Sequence, residues 1–466
     1  MTVHLYFADW GATSAVASKT ELGLTNERKI VDGTPILVDG GMRPLEPWCM
    51  FLRQYALNVS PKSSQAYARD ALRFSRFLDS RGVAIGDVAQ SDLVAYRKER
   101  RAKGIAESTW ARELVVIRAL FGYLLEVGLR TTLPWIQVGR RSIVHPRVSA
   151  AEMDVRALTH EQWTAFLDVG LGGRLPGGEL DCSYRGRSTV RDTTAAELAV
   201  TTGMRIQEWR TVLDVEIRAD RDSGASFVIE RTAKNGRRRT IYVPAATVRT
   251  IDLYRASERK RVVREAQGTL RKRLSDLAVV DKTDQGSGRL SYTLHGVRHR
   301  HPYPMIPIEH RRLLVELHDD FIEPITLLIG EGGLPPSQRS WHDRFAKANA
   351  RIESFVGESP VMPRSVTPHD LRHTFAVVLL RSLQQRAIEH ERDRPKYGTG
   401  TISEHIVFNP LLTLQRLLGH ASPSTTMIYL RYVDESHDLV QRAFESWGDG
   451  TRDYASYILE KLEGSA

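Results

Sequence analysis

Residues 367–375 read TPHDLRHTF. Pro368 suits the first turn of a helix, where no intrahelical N–H is needed, and Asp370 falls where the helix dipole favours a carboxylate. His369 and Arg372 are then three residues apart and share a face. An imidazole and a guanidinium pointing together suit an oxyanion, although the same stretch alone also reads as an ordinary helix start. Downstream, residues 417–432 read LLGHASPSTTMIYLRY. Gly419 is a helix stop, and Ser422-Pro423 supply an N-cap and first turn, so the chain breaks between His420 and Tyr429. In one continuous helix those two residues would face opposite ways; across a break they can converge. Tyr432 lies one turn further on, so the residues alone leave two tyrosines open for chemistry.

Upstream, residues 201–209 read TTGMRIQEW, with Gly203 ending one helix and Arg205 opening the next. Glu208 sits one turn later, placed to orient or neutralise Arg205, and a plain intrahelical pair is the simpler alternative. Residues 231–244 read RTAKNGRRRTIYVP. Phe227, Ile229, Ile241 and Val243 flank Asn235-Gly236, the composition of a tight β-hairpin. Among its basic side chains only Lys234 can release a proton, because arginine keeps its charge at all ordinary pH; a lysine at a hairpin tip is otherwise simply solvated.

The whole chain has 466 residues, a net charge of +10 and a pI near 9.6, with 26% charged and 41% apolar residues. That length predicts two or three domains, and that composition predicts folding rather than disorder. Basic clusters recur at Arg97/Lys98/Arg100/Arg101/Lys103, Arg140/Arg141/Arg147, Arg237–Arg239, Arg259/Lys260/Arg261/Arg264 and Arg271–Arg273, which together predict a polyanion partner. Two cysteines, Cys49 and Cys182, provide neither a disulfide framework nor a thiolate zinc site, which fits a reducing compartment and makes the cytoplasm the expected location. No apolar run is long enough to span a membrane, and the start MTVHLYFADWGATS lacks a signal-peptide pattern.

Organisation follows from periodicity. Residues 1–44 form a leader of irregular or short-stranded character. Residues 45–134 carry helical stripes, Tyr67, Ala71, Phe74 and Leu78 behind Ser63/Ser64, then Trp110, Leu114, Ile117, Phe121 and Leu124 behind Ser108, and predict a four-helix domain. Residues 135–158 read as a basic linker, 159–448 as a larger and mostly helical domain containing the hairpin, and 449–466 as a tail. The fold class expected is therefore mainly α with a small β element (α+β).

In their order, the four motif stretches resemble the tyrosine recombinases of the phage-integrase family. The match falls on Arg205, Lys234, His369 with Arg372, His420 and Tyr429. The resemblance implies a helical core-binding domain and a catalytic domain forming a clamp around duplex DNA, acting as a homo-tetramer on two DNA sites and associated with the nucleoid. It implies site-specific strand cutting and rejoining through a 3′-phosphotyrosyl intermediate, with no metal, cofactor or ATP. Arg205 and Arg372 would hold the non-bridging oxygens, Tyr429 would attack phosphorus, and His420 would hydrogen-bond the phosphate. His369 would serve as base, and Lys234 would protonate the leaving 5′-oxygen. Two other readings share much of this pattern: a type IB topoisomerase-like enzyme, and a non-catalytic DNA-binding accessory protein of a mobile element. An apolar stripe at Leu439, Val440, Ala443, Phe444 and Trp447 is expected to dock on a neighbouring subunit or, equally, to fold back onto its own domain. His295, His299 and His301 invite a metal reading, which the interleaved charges of Arg298 and Arg300 oppose.

Overall fold

The computed structural model describes residues 3–9, 32–136, 142–144, 155–218, 224–284, 288–319, 321–355, 357–358, 360, 362, 365–397 and 409–432. The chain divides into two compact units, Met1–Glu152 and Met153–Ala466. Most of residues 135–158, and the stripe from Leu439 to Trp447, lie outside the described residues.

The first unit opens on two antiparallel strands, β1 (His4–Phe7) and β2 (Pro35–Val38), followed by helices α1 (Trp48–Asn58), α2 (Pro61–Ser80), α3 (Gln90–Ala102) and α4 (Glu107–Glu126). Helix α2 starts one turn before the expected caps: Ser60 accepts from the Ser63 N–H at 3.2 Å, Pro61 follows, and Ser64 is buried. Ser108 lies inside α4, whose N-cap is Ala106, with no side-chain cap. In both cases the apolar stripe set the helix while the cap moved upstream, by about a turn in α2 and by two residues in α4. Phe74, Tyr96 and Phe121 meet at the centre of the unit, with ring centroids 5.1 Å apart for Phe74–Tyr96 and 6.4 Å for Phe74–Phe121.

Beside that core lies Glu113, 1% exposed, which accepts from Tyr96 Oη at 3.1 Å and from Arg100 Nε at 3.0 Å and Nη2 at 2.6 Å. Arg101 pairs with Glu107, and Lys103 pairs with Glu99. So Arg100 is tied into the core of the unit, while Lys98, Arg101 and Lys103 stay exposed, the last two in surface pairs. Like Arg100, Arg259 is not a free surface cation: it is buried and bonded to Glu323 and to the carbonyls of Pro324 and Leu327.

In the second unit, α5 (Thr189–Thr202) presents Ala195, Ala196, Leu198 and Ala199 to the core, so small side chains bring its neighbours close. It ends at Gly203, and α6 (Ile206–Trp209) begins at Arg205. Strands β3 (Ala225–Ile229) and β4 (Arg239–Val243) pair antiparallel, with Phe227 opposite Ile241. The hairpin is not tight. Asn235 and Gly236 do take positive φ, 61° and 65°, but they lie in a loop over 230–238 that makes one short 3-10 turn at Lys234–Gly236.

After α7 (Ala245–Tyr254) the chain builds a sheet that periodicity left unread: β5 (Ala278–Asp284), β6 (Arg289–Leu294), β7 (Val297–Pro302), β8 (Leu314–His318) and β9 (Phe321–Pro324), in spatial order β7-β6-β5-β8-β9. Leu290, Tyr292 and Leu294 alternate into its core. The sheet is tied to the β3–β4 loop, because the Arg231 N–H donates to the Pro304 carbonyl at 2.8 Å. Helices α8 (Gln338–Glu353), α9 (Pro368–Tyr397), α10 (Pro410–Leu418) and α11 (Pro423–Met427) complete the unit, and a 3-10 turn (Ile428–Tyr432) follows. Trp209 and Trp341 pack edge to face, with centroids 4.8 Å apart. No helix among the described residues is long and apolar enough to cross a membrane.

Replacing Glu113 with Ala leaves the buried Tyr96 phenol and the largely buried Arg100 guanidinium without their acceptor. Urea unfolding of the full chain should show the helical unit destabilised by about 3 kcal/mol, the usual cost of breaking a buried pair from one side.

Candidate active site

Two left-handed glycines set the site. Gly203 (φ +62°) ends α5 and Gly419 (φ +65°) ends α10. Each turn presents carbonyls at the negative end of a helix dipole, where a cation is favoured. Arg372, 1% exposed on the first turns of α9, takes that place for both: Nη1 donates to the Gly203 carbonyl and Nη2 to the Leu418 carbonyl, each at 2.6 Å. A guanidinium has five N–H donors, so these two bonds use only part of its capacity.

A carboxylate compensates the positive charge. Glu208, 2% exposed, accepts from Arg239 Nη1 at 3.1 Å and Nη2 at 2.5 Å, from Arg205 Nη1 at 3.2 Å, and from the Arg205 backbone N–H at 2.7 Å. Burial alone would raise the Glu208 pKa, but the charges of Arg239, Arg205 and Arg372 outweigh it and hold the pKa below the ordinary value. Arg205 caps α6 and keeps a quarter of its side chain open. Arg372, by contrast, is so crowded by protein and by Arg205 that its pKa falls to about 9.

Three imidazoles surround this cluster. His369 is exposed at its mouth, yet nearby protein atoms and the Arg372 charge depress its pKa. His420, in the loop after Gly419, bonds Thr426 Oγ1 through Nδ1 at 2.9 Å, and its pKa is held down to about 3 by burial, Arg372 and Arg205. His373, one turn after His369, is buried, with the two rings 4.4 Å apart. The Tyr429 ring, 2% exposed, lies parallel to that of His420, at 6.3 Å and 8°. Its hydroxyl is 3.0 Å from His373 Nδ1. Burial raises the Tyr429 pKa, with Arg372 and Arg205 opposing.

Arg205, His369, Arg372, His420 and Tyr429 thus come together from separate segments. Lys234 stands apart, exposed on its loop; the hairpin reaches the cluster through Arg239 and through Arg237, whose Nη1 donates to the His420 carbonyl at 3.3 Å. A groove of about 1030 Å³ between β4 and α10 is lined by Arg237, Arg238, Arg416 and His420. Of Tyr432 only the backbone is described.

Sequence reasoning missed His373 and Arg239 as site residues. Signals for both existed: His373 is four residues from His369 on one helical face, and Arg239 shares the inward phase of β4 with Ile241 and Val243. The histidines of the inserted sheet make a separate set, in which His299 and His301 lie near Tyr292, and His310 Nδ1 bonds Tyr292 Oη at 2.8 Å. Among the described residues no group of three or more His, Cys, Asp or Glu is arranged to hold a metal ion.

Residues 51–128 match the family model described as phage integrase, N-terminal SAM-like domain. The tyrosine recombinase XerD of Mycobacterium tuberculosis (H37Rv) is 29% identical over 219 residues, which cover 45% of this chain and 64% of that protein. XerD of Mycobacterium leprae is 24% identical over 380 residues, 80% of this chain and 87% of the relative. Over these segments the chain is similar to tyrosine recombinases. A solved structure of the Tn1549 transposon integrase with a circular intermediate DNA is similar at 15% identity and a TM-score of 0.46, covering 82% of this chain and 94% of that one.

Two expectations follow from the site's construction. A Cβ on Gly203 would lie 2.3 Å from the Phe375 ring, at a φ unfavourable to side chains, so Gly203→Ala should destabilise the second unit by about 2 kcal/mol or more in thermal or urea unfolding. The second concerns pH. The His420 pKa is depressed in the fold, so the stability it contributes is complete above its unfolded value near 6.5 and is lost as pH falls toward about 3. His420→Asn should flatten the stability profile of the full chain across that window.

Proposed function

We propose that this protein is a site-specific DNA recombinase of the integrase or transposase type, which cuts and rejoins strands through a 3′-phosphotyrosyl intermediate. The observation that carries the reading is the convergence of five motif residues on a cation cluster beside a buried tyrosine hydroxyl. A phosphodiester gains negative charge on its non-bridging oxygens as phosphorus becomes five-coordinate, and fixed guanidinium groups in a low-dielectric pocket are suited to that charge. Arg205 and Arg372 are assigned that role, with His420 hydrogen-bonding the same phosphate and His369 facing it from the mouth of the cluster.

Tyr429 is the proposed nucleophile. Its attack displaces the 5′-oxygen and stores the bond as a phosphotyrosyl ester, so rejoining is the same step reversed. Lys234 is assigned to protonate the leaving 5′-oxygen. Its exposure, outside the cluster, fits a group that meets the reacting phosphate only when its loop moves with bound DNA. The partners proposed are duplex DNA, gripped by the helical residues 45–134 and the domain over 159–448, and further copies of the chain in a tetramer on two sites. DNA affinity should fall steeply with salt, as it does when phosphate contacts release counterions.

The test uses nicked suicide substrates, taken from the ends of the element that encodes the protein, to trap a covalent protein–DNA adduct. Wild type and Tyr432→Phe should form it; Tyr429→Phe should not. Arg372→Ala should slow it by about 100-fold or more, the usual loss for an oxyanion donor. An adduct that survives Tyr429→Phe, or specific binding without any adduct in wild type, would overturn the assignment. A strand-exchange assay on the same DNA separates recombination from simple relaxation.

A further inference from the structure

Tyr429 Oη is already engaged. Its hydrogen-bond partner is His373 Nδ1, at 3.0 Å, and the two side chains are 2% and 3% exposed. The other basic groups are occupied or turned elsewhere. His420 Nδ1 is bonded to Thr426, and the His420 ring lies parallel to the tyrosine ring rather than pointing at its hydroxyl. His369 opens toward solvent at the mouth of the cluster, and Lys234 is exposed on its loop.

We propose that His373 is a catalytic residue, the acceptor of the Tyr429 proton during strand cleavage and its donor during rejoining, with His369 facing the phosphate instead. This rests on the recombinase reading. As the Tyr429 oxygen bonds to phosphorus, its O–H bond breaks and the proton passes to His373 Nδ1. The bond from phosphorus to the 5′-oxygen breaks, its electron pair leaves with that oxygen, and Lys234 supplies the proton that completes the 5′-hydroxyl. Rejoining reverses each transfer, and no oxidant, reductant or co-reactant is consumed.

The division of labour follows from burial. A phenol has an ordinary pKa near 10, so a neutral-pH nucleophile needs a base in direct contact. His373 is that contact, held by α9 one residue after Arg372, while Tyr429 arrives on the 3-10 turn that ends the described chain. The titratable and charged groups around the pair are His369, Asp370 and Arg372 on α9, Arg205 from the turn after α5, Arg156 near Asp370, and His420 from the loop after α10.

The experiment measures adduct formation by the full chain across pH 5–10 on suicide DNA. It uses wild type, His373→Asn, His373→Ala and Lys234→Ala, with the 5′-bridging atom either oxygen or sulfur. Asparagine can keep the hydrogen bond at the Nδ1 position but cannot take a proton. His373→Asn should slow adduct formation by about 100-fold at neutral pH and make its rate climb with pH where wild type levels off. Sulfur leaves without protonation, so it should rescue Lys234→Ala and not His373→Asn. Added imidazole should restore activity to His373→Ala.

A wild-type rate and pH profile in His373→Asn would overturn the proposal. So would a slowed variant that keeps the wild-type profile, or one rescued by sulfur. If His373→Asn fails to fold, imidazole rescue of His373→Ala decides, and its absence in a folded variant counts against the proposal. A wild type that forms no adduct on bound DNA refutes the recombinase reading itself, a result distinct from any of these.

Discussion

Everything at the site depends on one buried carboxylate. Arg205, Arg239 and Arg372 could not share a pocket of low dielectric unless something offset their mutual repulsion, and Glu208 does so from their midst. Its two oxygens accept from Arg205 and Arg239, while one of them also closes the first turn of α6 by accepting the Arg205 N–H. The same group therefore shapes the backbone that carries Arg205 and makes the guanidinium cluster tolerable. Arg372 needs no direct bond to it, because two helix ends supply their carbonyls instead. The cluster keeps an excess of positive charge, which is the property an incoming phosphate requires.

Much of this was legible in the chain, and for identifiable reasons. Gly203, Gly419 and Ser422-Pro423 are punctuation marks whose backbone demands are local, so the breaks at Arg205 and His420 could be read directly. The face shared by His369 and Arg372 follows from helical geometry in the same way. Caps proved less legible: α2 uses Ser60 rather than Ser63, since several neighbouring serines satisfy the same rule and tertiary packing selects among them. The hairpin turn was recognised by its positive φ positions, but its loop is longer than Asn-Gly implies, and the extra residues are where Arg231 meets the inserted sheet.

The rest was hidden because it depends on distant partners. Nothing near Arg100 in sequence reveals that Glu113 lies buried beside it, so Arg100 looks like its exposed neighbours Lys98 and Arg101. His373 follows Arg372 immediately and seems on the far side of the motif; only the arrival of Tyr429 on the last turn gives it a partner. The five-stranded sheet mixes strands too short and too polar for period-2 alternation to stand out, and β5 joins β8 in parallel across two intervening strands.

That inserted sheet also bears on how the site can form at all. Arg372 bonds to a carbonyl 169 positions earlier, so the pocket closes a very long loop of chain. The entropy lost on closing a flexible loop grows only with the logarithm of its length, about 0.6 kcal/mol for each doubling. A segment that folds onto itself, as β5 to β9 do, returns to the domain with its ends already near each other: the Ala278 N–H bonds the Leu313 carbonyl, and the Ile325 N–H bonds the adjacent Leu314 carbonyl. Length between the two arginines is therefore nearly free in chain statistics, and the pocket can accommodate a sizeable passenger without loosening.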